Sequence, residues 1–170
     1  MDFSRDLEQF ANRTIKKITK VKRVVAIKLF GAIVKGTPVG NPDKWKINQF
    51  EDGTFKNGED DGDNNIITPE GYTGGRARAN WNFSLNGFNS ETTENTDASG
   101  GVTLNLLQTV ALSADLDDSI CMTNALPYIY RLEYDGWSGQ APEGMVRQNV
   151  IRFKENVRKA VAAGKSDFSL

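Results

Sequence analysis

The chain contains no histidine, only one cysteine, five prolines in 170 residues, and no apolar run long enough to cross a bilayer. Without histidine it lacks the commonest general base, the usual zinc ligand and the imidazole half of Ser-His and Cys-His nucleophile pairs. A lone Cys121 permits no internal disulfide, which fits a reducing compartment, and it reads first as a small core hydrophobe. The opening MDFSRDLEQF is already amphipathic and has no charged segment leading into an apolar run and a cleavage site, so synthesis and retention in a cytoplasm are expected. What remains, 38% hydrophobic and 25% charged residues, suits one soluble domain with a real core, read as spanning residues 1–170.

Motifs that would carry chemistry fail one after another. Gly136-Trp137-Ser138-Gly139-Gln140 begins like a nucleophile elbow, but its fifth position is Gln and the chain has no histidine to activate Ser138. Gly164-Lys165-Ser166 ends like a phosphate-binding loop, yet Lys159 stands where the first glycine is required and a helix precedes it instead of a strand. Gly31 to Thr37 has the glycine interval but Thr37 in place of the lysine. Asp60, Asp61, Asp63 and Asn65 offer oxygen ligands at alternating positions without the central glycine and closing glutamate of an EF-hand, and they read as a solvated acidic loop. Nothing converges on the acid pairs Asp117-Asp118 and Glu133-Asp135. No catalytic residue, cofactor or metal is therefore expected, and the chain reads as an interaction protein.

Charge is unevenly spread although the net charge is only -1. Residues 1–36 hold nine Lys/Arg and three Asp/Glu, residues 41–70 hold three and eight, and residues 144–170 hold six and two. Two basic segments thus flank an acidic one. From Phe3 to about Lys35 apolar residues recur every three or four positions, predicting one helix with about 28 residues before Gly31, roughly 40 Å long. VVAIKLF, residues 24–30, has the composition of a strand and marks the alternative, a break in that helix. Arg13, Lys16, Lys17, Lys20 and Arg23 form its basic face, and a stripe this long cannot be covered by one small sheet, so part of it is expected to meet a neighbouring subunit. Gly31 and Gly36-Thr37-Pro38 read as its end.

Residues 40–72 read as a long acidic arm with a short hairpin from Trp45 to Lys56. Beyond the Gly74-Gly75 turn, Ala77, Trp81, Phe83 and Leu85 alternate as in a strand, and Arg76 and Arg78 suit carboxylate or phosphate recognition. Residues 86–101 are expected to form an exposed hairpin connection or tip. Leu104–Leu116 has helical spacing, with Asp115, Asp117 and Asp118 closing it against the helix dipole. Ser119–Thr123 reads as a short buried strand, Pro127 as the start of a short helix, and Pro142 to about Ala163 as an amphipathic helix with a frayed tail behind it. The aromatic, Gly- and Pro-rich stretch Thr123–Arg147 reads as a docking surface, with Pro127–Tyr134 packing within the subunit and Trp137–Met145 touching the next.

Taken together, the Gly-Thr-Pro-Val end of the first helix, Thr73-Gly-Gly-Arg-Ala-Arg-Ala-Asn-Trp81, Asn124-Ala-Leu-Pro-Tyr-Ile-Tyr-Arg-Leu-Glu-Tyr134 and Gln140-Ala-Pro-Glu-Gly-Met-Val146 resemble the neck and minor-tail proteins of tailed bacteriophages. In particular, the chain is similar to their tail-completion, or head-tail joining, proteins. The resemblance implies an α+β fold with a long N-terminal helix, a small antiparallel sheet with packed helices, and an amphipathic C-terminal helix. It implies a structural virion protein, not an enzyme, assembled as a ring of about six or twelve copies at the head-tail junction. Its partners would be other copies of itself, portal, connector or head-closure proteins, and tail-terminator or tail-tube proteins, with packaged DNA contacted non-specifically and no membrane. Arg76, Arg78, Trp81, Tyr130, Trp137, Gln140, Pro142 and Met145 would then be inter-subunit or partner contacts, and Lys16, Lys17 and Lys20 would face the lumen or an acidic partner. Family members commonly run from Thr-Pro-Val directly into the Thr-Gly-Arg turn, whereas here residues 40–72 intervene. The alternative is an accessory DNA-binding or DNA-processing phage protein.

Overall fold

The computed structural model describes residues 3–54, 56 and 66–166. Its architecture is α+β and mostly helical. Helix α1, Phe3–Gly36, is unbroken over 34 residues, about 51 Å at 1.5 Å per residue. Residues 24–30 continue it because Ala26 is buried and Ile27, Leu29 and Phe30 pack on the core at helical spacing. Gly31 does not end α1. It lies inside the helix facing Leu104 and Leu107, where even a methyl side chain would make only ordinary van der Waals contact. The end comes at Thr37, whose amide bonds Val34 O and whose hydroxyl donates to Ile33 O, with Pro38 unable to extend the ladder.

After the arm come one helical turn, α2 (Arg76–Ala79), then strand β1 (Asn82–Leu85), helix α3 (Gly101–Ser113), strand β2 (Ile120–Thr123) and three further helices, α4 (Ile129–Tyr134), α5 (Val146–Ile151) and α6 (Phe153–Ser166). Arg76–Ala79 is helical, not extended, because Gly75 enters it at φ +101° and Asn80 ends it, donating its side-chain amide to Arg76 O. The strand period therefore begins only at Asn82. Strands β1 and β2 pair antiparallel with Phe83 opposite Met122 and Ser84 opposite Cys121. The connection between them is α3 and the loops on either side of it, so residues 86–101 lead into a helix and not round a hairpin. That loop is tied down: Thr93 N donates to Asn80 Oδ1, and the Asn80 and Asn82 side-chain amides donate to Thr93 O and Glu91 O.

The core gathers Ile33 and Val34 of α1, Ala77, Trp81, Phe83, Leu107 and Ala111 of α3, and Leu126, Leu132 and Met145. Phe30 stacks on Phe83 with ring centroids 6.3 Å apart. The C-terminal helix starts at Val146, four residues later than its composition suggests, because Pro142–Gly144 form a turn with Gly144 at φ +84° against Glu133 O. A further turn at Arg152 separates α5, beside the C-terminal end of α1, from α6, which packs along α1. None of the described helices is long and apolar enough to cross a membrane.

Residues 42–44 and 46–48 form two 3-10 turns, so the expected hairpin is shorter than Trp45 to Lys56: it begins at the bridge residue Gln49, with Lys56 N to Asn48 O and Phe50 N to Thr54 O on either side of its turn. Asn48, fully buried, pins the base of the arm: its amide nitrogen donates to Pro42 O and Ile67 O, and its oxygen accepts from Ile67 N. Trp45 meets Tyr72 edge-on, with centroids 4.9 Å apart. The four calcium-like residues Asp60, Asp61, Asp63 and Asn65 lie outside the described residues.

Candidate interaction surfaces

Three electrostatic clamps hold the helices, one of them buried, and each uses a residue whose sequence context suggested another task. Arg78 is the first. Its guanidinium donates to Lys35 O at 3.1 Å, Thr37 O at 2.7 Å and Ala98 O at 2.5 Å, placing a cation on the carbonyl end of α1, where the helix dipole favours it. Burial pulls the guanidinium below its usual value, and the charge of Asp97 acts in the opposite direction. Arg76, two residues earlier, pairs with exposed Glu94 and reaches Thr93 O.

Lys22 and Arg23 form the second clamp. Lys22 Nζ reaches the carbonyl oxygens of Asp115, Leu116 and Asp118, and Arg23 Nε donates to Ala114 O at 2.8 Å while its Nη2 stands 3.7 Å from Asp115. Two cations from α1 thus cover the C-terminal end of α3 and offset the three aspartates that oppose its dipole. At the other end of α3 the N-cap position is Gly100, and Asp97, three residues upstream, supplies the acceptor a cap would, its Oδ2 taking Thr103 N and Thr103 Oγ1 at 2.8 and 2.9 Å. Burial pushes the Asp97 carboxyl upward, but bonds from Thr103, Ser99 and Gly100 outweigh it and leave the group below the usual carboxylate range. Because its folded value is depressed, Asp97 contributes stability that is complete above its unfolded value of about 3.9 and is lost as pH falls through its folded value. Urea titrations from pH 7 to 3 should show Asp97→Asn destabilised by about 1–2 kcal/mol at neutral pH, with the gap to the native protein narrowing in acid. A gap independent of pH would remove the carboxylate from this role.

The third clamp is Glu133, 6% exposed, whose carboxylate accepts from the backbone amides of Met145, Val146 and Arg147 at 2.9, 2.9 and 2.8 Å. The Arg147 guanidinium returns to Glu133 O and lies 3.4 Å from Oε1. Glu133 therefore has a full set of partners at the start of α5, and Asp135 is exposed beside it.

What these clamps leave outside is apolar and aromatic. Along the first half of α1, Phe3, Leu7, Phe10, Ile15 and Ile18 are all exposed, Phe3 by 78% and Phe10 by 68%. Lys16, Lys17 and Lys20 lie on the same stretch and are exposed to solvent. Near the other end of the molecule Tyr130, Tyr134 and Trp137 are exposed. Tyr130 and Tyr134 pack at 4.7 Å, the Arg147 guanidinium lies 5.0 Å from the Tyr134 ring, and the Arg131 guanidinium lies 5.6 Å from Trp137, which meets Tyr128 edge-on. An apolar groove of about 190 Å³ runs beside this cluster between Tyr130, Tyr134, Ile129 and Val146.

The residues expected to touch a neighbour therefore divide. Trp81 is buried with its indole N–H donating to Thr37 Oγ1 at 2.8 Å, and Met145 is 2% exposed, so both belong mainly to the core and only edge onto the groove beside Tyr130 and Tyr134. Gln140 spends its side-chain amide on the backbone of Val39, giving 2.8 Å to its O and accepting 3.2 Å from its N. Arg78 is committed to α1. Tyr130, Trp137 and Pro142 remain exposed, with Arg76 partly so. No protein-family model, curated protein or solved structure matches the chain. Among the described residues no group of three or more His, Cys, Asp or Glu is placed to hold a metal ion.

Asp97, Glu133, Asn48 and Asn80 are the residues that sequence reasoning missed. Asp97 precedes Ser99-Gly100-Gly101 and an apolar helical run, which is a capping pattern, so a signal existed. Glu133 had none, because its partners are more than ten residues away and are backbone groups.

Proposed function

We propose that this protein is a structural component of a bacteriophage neck, a tail-completion or head-tail joining protein whose copies assemble between the capsid portal complex and the tail. The observation that carries the reading is the exposed apolar stripe from Phe3 to Ile18 on a rigid helix. A single copy leaves it in water, and burying a side chain such as Leu or Phe is worth about 1.5–3 kcal/mol. The exposed aromatic cluster of Tyr130, Tyr134 and Trp137 supplies a second surface of the kind that interfaces use. Polar residues that elsewhere would suggest chemistry, Glu133 and Arg78 above all, are engaged in holding helices. The motif resemblance supplies the phage setting, and nothing else on the chain names one.

The test is made in virions. Deleting the gene should yield filled heads and separate tails, and the protein should be found at the junction of complete particles by affinity labelling of a tagged copy. Its absence from purified virions would defeat the proposal. Reversing Lys16, Lys17 and Lys20 to Glu should impair assembly or genome retention, and infectious particles in unchanged yield would remove those lysines from the reading. Trp137→Ala should reduce incorporation into particles while shifting the melting temperature by only a few degrees, since its ring is more than half exposed. A large loss of monomer stability with normal incorporation would reassign Trp137 to the fold.

A further inference from the structure

Helix α1 carries one apolar stripe written in repeats of eleven residues. Phe3, Leu7 and Phe10 recur as Thr14, Ile18 and Val21, and again as Val25, Leu29 and Ala32, with Gly36 opening the next repeat. At about 100° per residue these positions share about 100° of the helix surface, and eleven residues are close enough to three turns to keep the stripe straight. Within the chain it is covered at one end only. A side chain at Gly36 would meet Met145 and Asn149 at 3.8 and 3.9 Å, and α6 leads back from α5 along α1, so Val21, Val25, Leu29 and Ala32 are half-buried. Before Val21 the same face lies in the open, with Phe3, Leu7, Phe10 and Ile18 each more than half exposed.

We infer that the uncovered half of this stripe, Phe3–Ile18, pairs with the same segment of a second copy, the two helices lying antiparallel across a two-fold axis near Phe10 and Ala11.

A straight apolar strip that takes a helix over one half is shaped to take one over the other. Charge selects the partner and its direction. Residues 3–9 carry Asp6 and Glu8 against Arg5, whereas residues 10–20 carry Arg13, Lys16, Lys17 and Lys20 and no acid. Antiparallel pairing lays the acidic end of each copy on the basic stretch of the other, and parallel pairing would lay the basic stretches side by side. With the axis near Phe10, Phe3 comes opposite Ile18 of the other copy and Leu7 opposite its Thr14. Asp6 and Arg13 share one flank of the stripe, so Asp6 of each copy comes alongside Arg13 of the other. Ala11 and Ile15 make the opposite flank apolar, and Ile15, 45% exposed, is covered as well. The other exposed apolar surfaces suit this segment less: the outer face of α3 interleaves Val102, Leu106 and Leu112 with exposed Asn105, Gln108 and Thr109, and the cluster at Tyr130 and Tyr134 is bordered by Arg131 and Arg147. Two copies would bury on the order of 1,000 Å², the lower limit for a specific interface, so the pair is weak and reversible. A two-fold pair has no polarity, so it is a form of the free protein that incorporation between unlike neighbours would open, and it stands or falls apart from the assembly reading above.

Sedimentation velocity on the full chain should show a reversible monomer–dimer equilibrium at about 10–100 μM. Leu7→Asp/Phe10→Asp should weaken it about 30-fold or more, with near-ultraviolet circular dichroism unchanged because both side chains are exposed. Asp6→Arg should weaken dimerisation about five-fold, and Asp6→Arg/Arg13→Asp should restore it to within about two-fold, because the exchanged charges still meet. Direction is read by disulfide linking in a Cys121→Ser background: Phe3→Cys mixed with Ile18→Cys should link, and Phe3→Cys alone should not. The pairing is overturned if the native chain stays monomeric at about 100 μM, if the Leu7/Phe10 variant associates like the native chain, if the double exchange is no stronger than Asp6→Arg alone, or if Phe3→Cys links to itself. A requirement for Leu7 and Phe10 in binding vesicles of anionic phospholipid, and not in self-association, would equally overturn it.

Discussion

Glu133→Ala will lower the stability of the fold by about 3–5 kcal/mol, read as a fall in the urea midpoint. The size follows from what the carboxylate leaves behind. Three backbone amides at the start of α5 lose their acceptor, that of Met145 in the interior and those of Val146 and Arg147 in partly buried positions. A buried donor without a partner costs about 1–3 kcal/mol, far more than a typical bond contributes when both partners are intact. The Arg147 guanidinium, itself nearly half exposed, loses an ion pair that water largely replaces, so Arg147→Ala should cost only about 1 kcal/mol. Glu133→Gln keeps one acceptor oxygen and should fall between the two. Against a total of about 5–15 kcal/mol for a domain, the alanine variant sits close to unfolding at physiological temperature. Equal effects of Glu133→Ala and Arg147→Ala would show that the ion pair, and not the cap, is what matters.

Trp81→Ala is expected to cost a similar amount, about 3–5 kcal/mol, by a different mechanism. The indole fills the space between α1, the strand pair and the helices after it, and its removal leaves a cavity that Ile33, Val34 and Met145 cannot collapse to fill. It also strands the Thr37 hydroxyl, which accepts from the indole N–H while donating to Ile33 O. Trp81→Phe keeps much of the apolar area and loses the donor, which isolates the hydrogen bond. A double-mutant cycle between Trp81→Phe and Thr37→Val should give a coupling of about 0.5–1.5 kcal/mol, and a coupling near zero would assign the whole effect to packing.

The helices were legible in sequence to the extent that periodicity fixes them. Thirty-odd residues at three-four spacing with no proline predict α1, and the choice between one helix and a break at residues 24–30 turns on Ala26, Ile27, Leu29 and Phe30, whose packing on the core no local pattern could reveal. The short strand at 120–123 was read to within a residue, but the one before it was drawn too long, because Gly75 and Asn80 curl Arg76–Ala79 into a helical turn. The start of α5 was misplaced since it depends on Glu133, whose partners are set by tertiary structure. The candidate contact residues show the same division. Exposure of Tyr130 and Trp137 agrees with a surface reading of the aromatic stretch, whereas Trp81 and Met145 have the composition of an interface and the position of a core. Arg78 was singled out for a guanidinium that recognises anions, and its actual partners, backbone carbonyls at a helix end, offer the same negative potential from within the chain.

One feature of α1 sets a mechanical scale. Lys22 and Arg23 fasten it to the end of α3, Arg78 fastens its C-terminal end to the loop at Ala98, and α6 packs along it, so the part that projects into solvent is the stretch before Thr19, its first buried residue. From Thr19 to Phe3 is a lever of about 24 Å. A tilt of about 5° there moves Phe3 by about 2 Å, somewhat under half the rise of a helical turn. The bearing of that lever is governed by three carbonyl oxygens at residues 115–118, so a substitution at Lys22 acts on where the tip points before it acts on whether the chain folds.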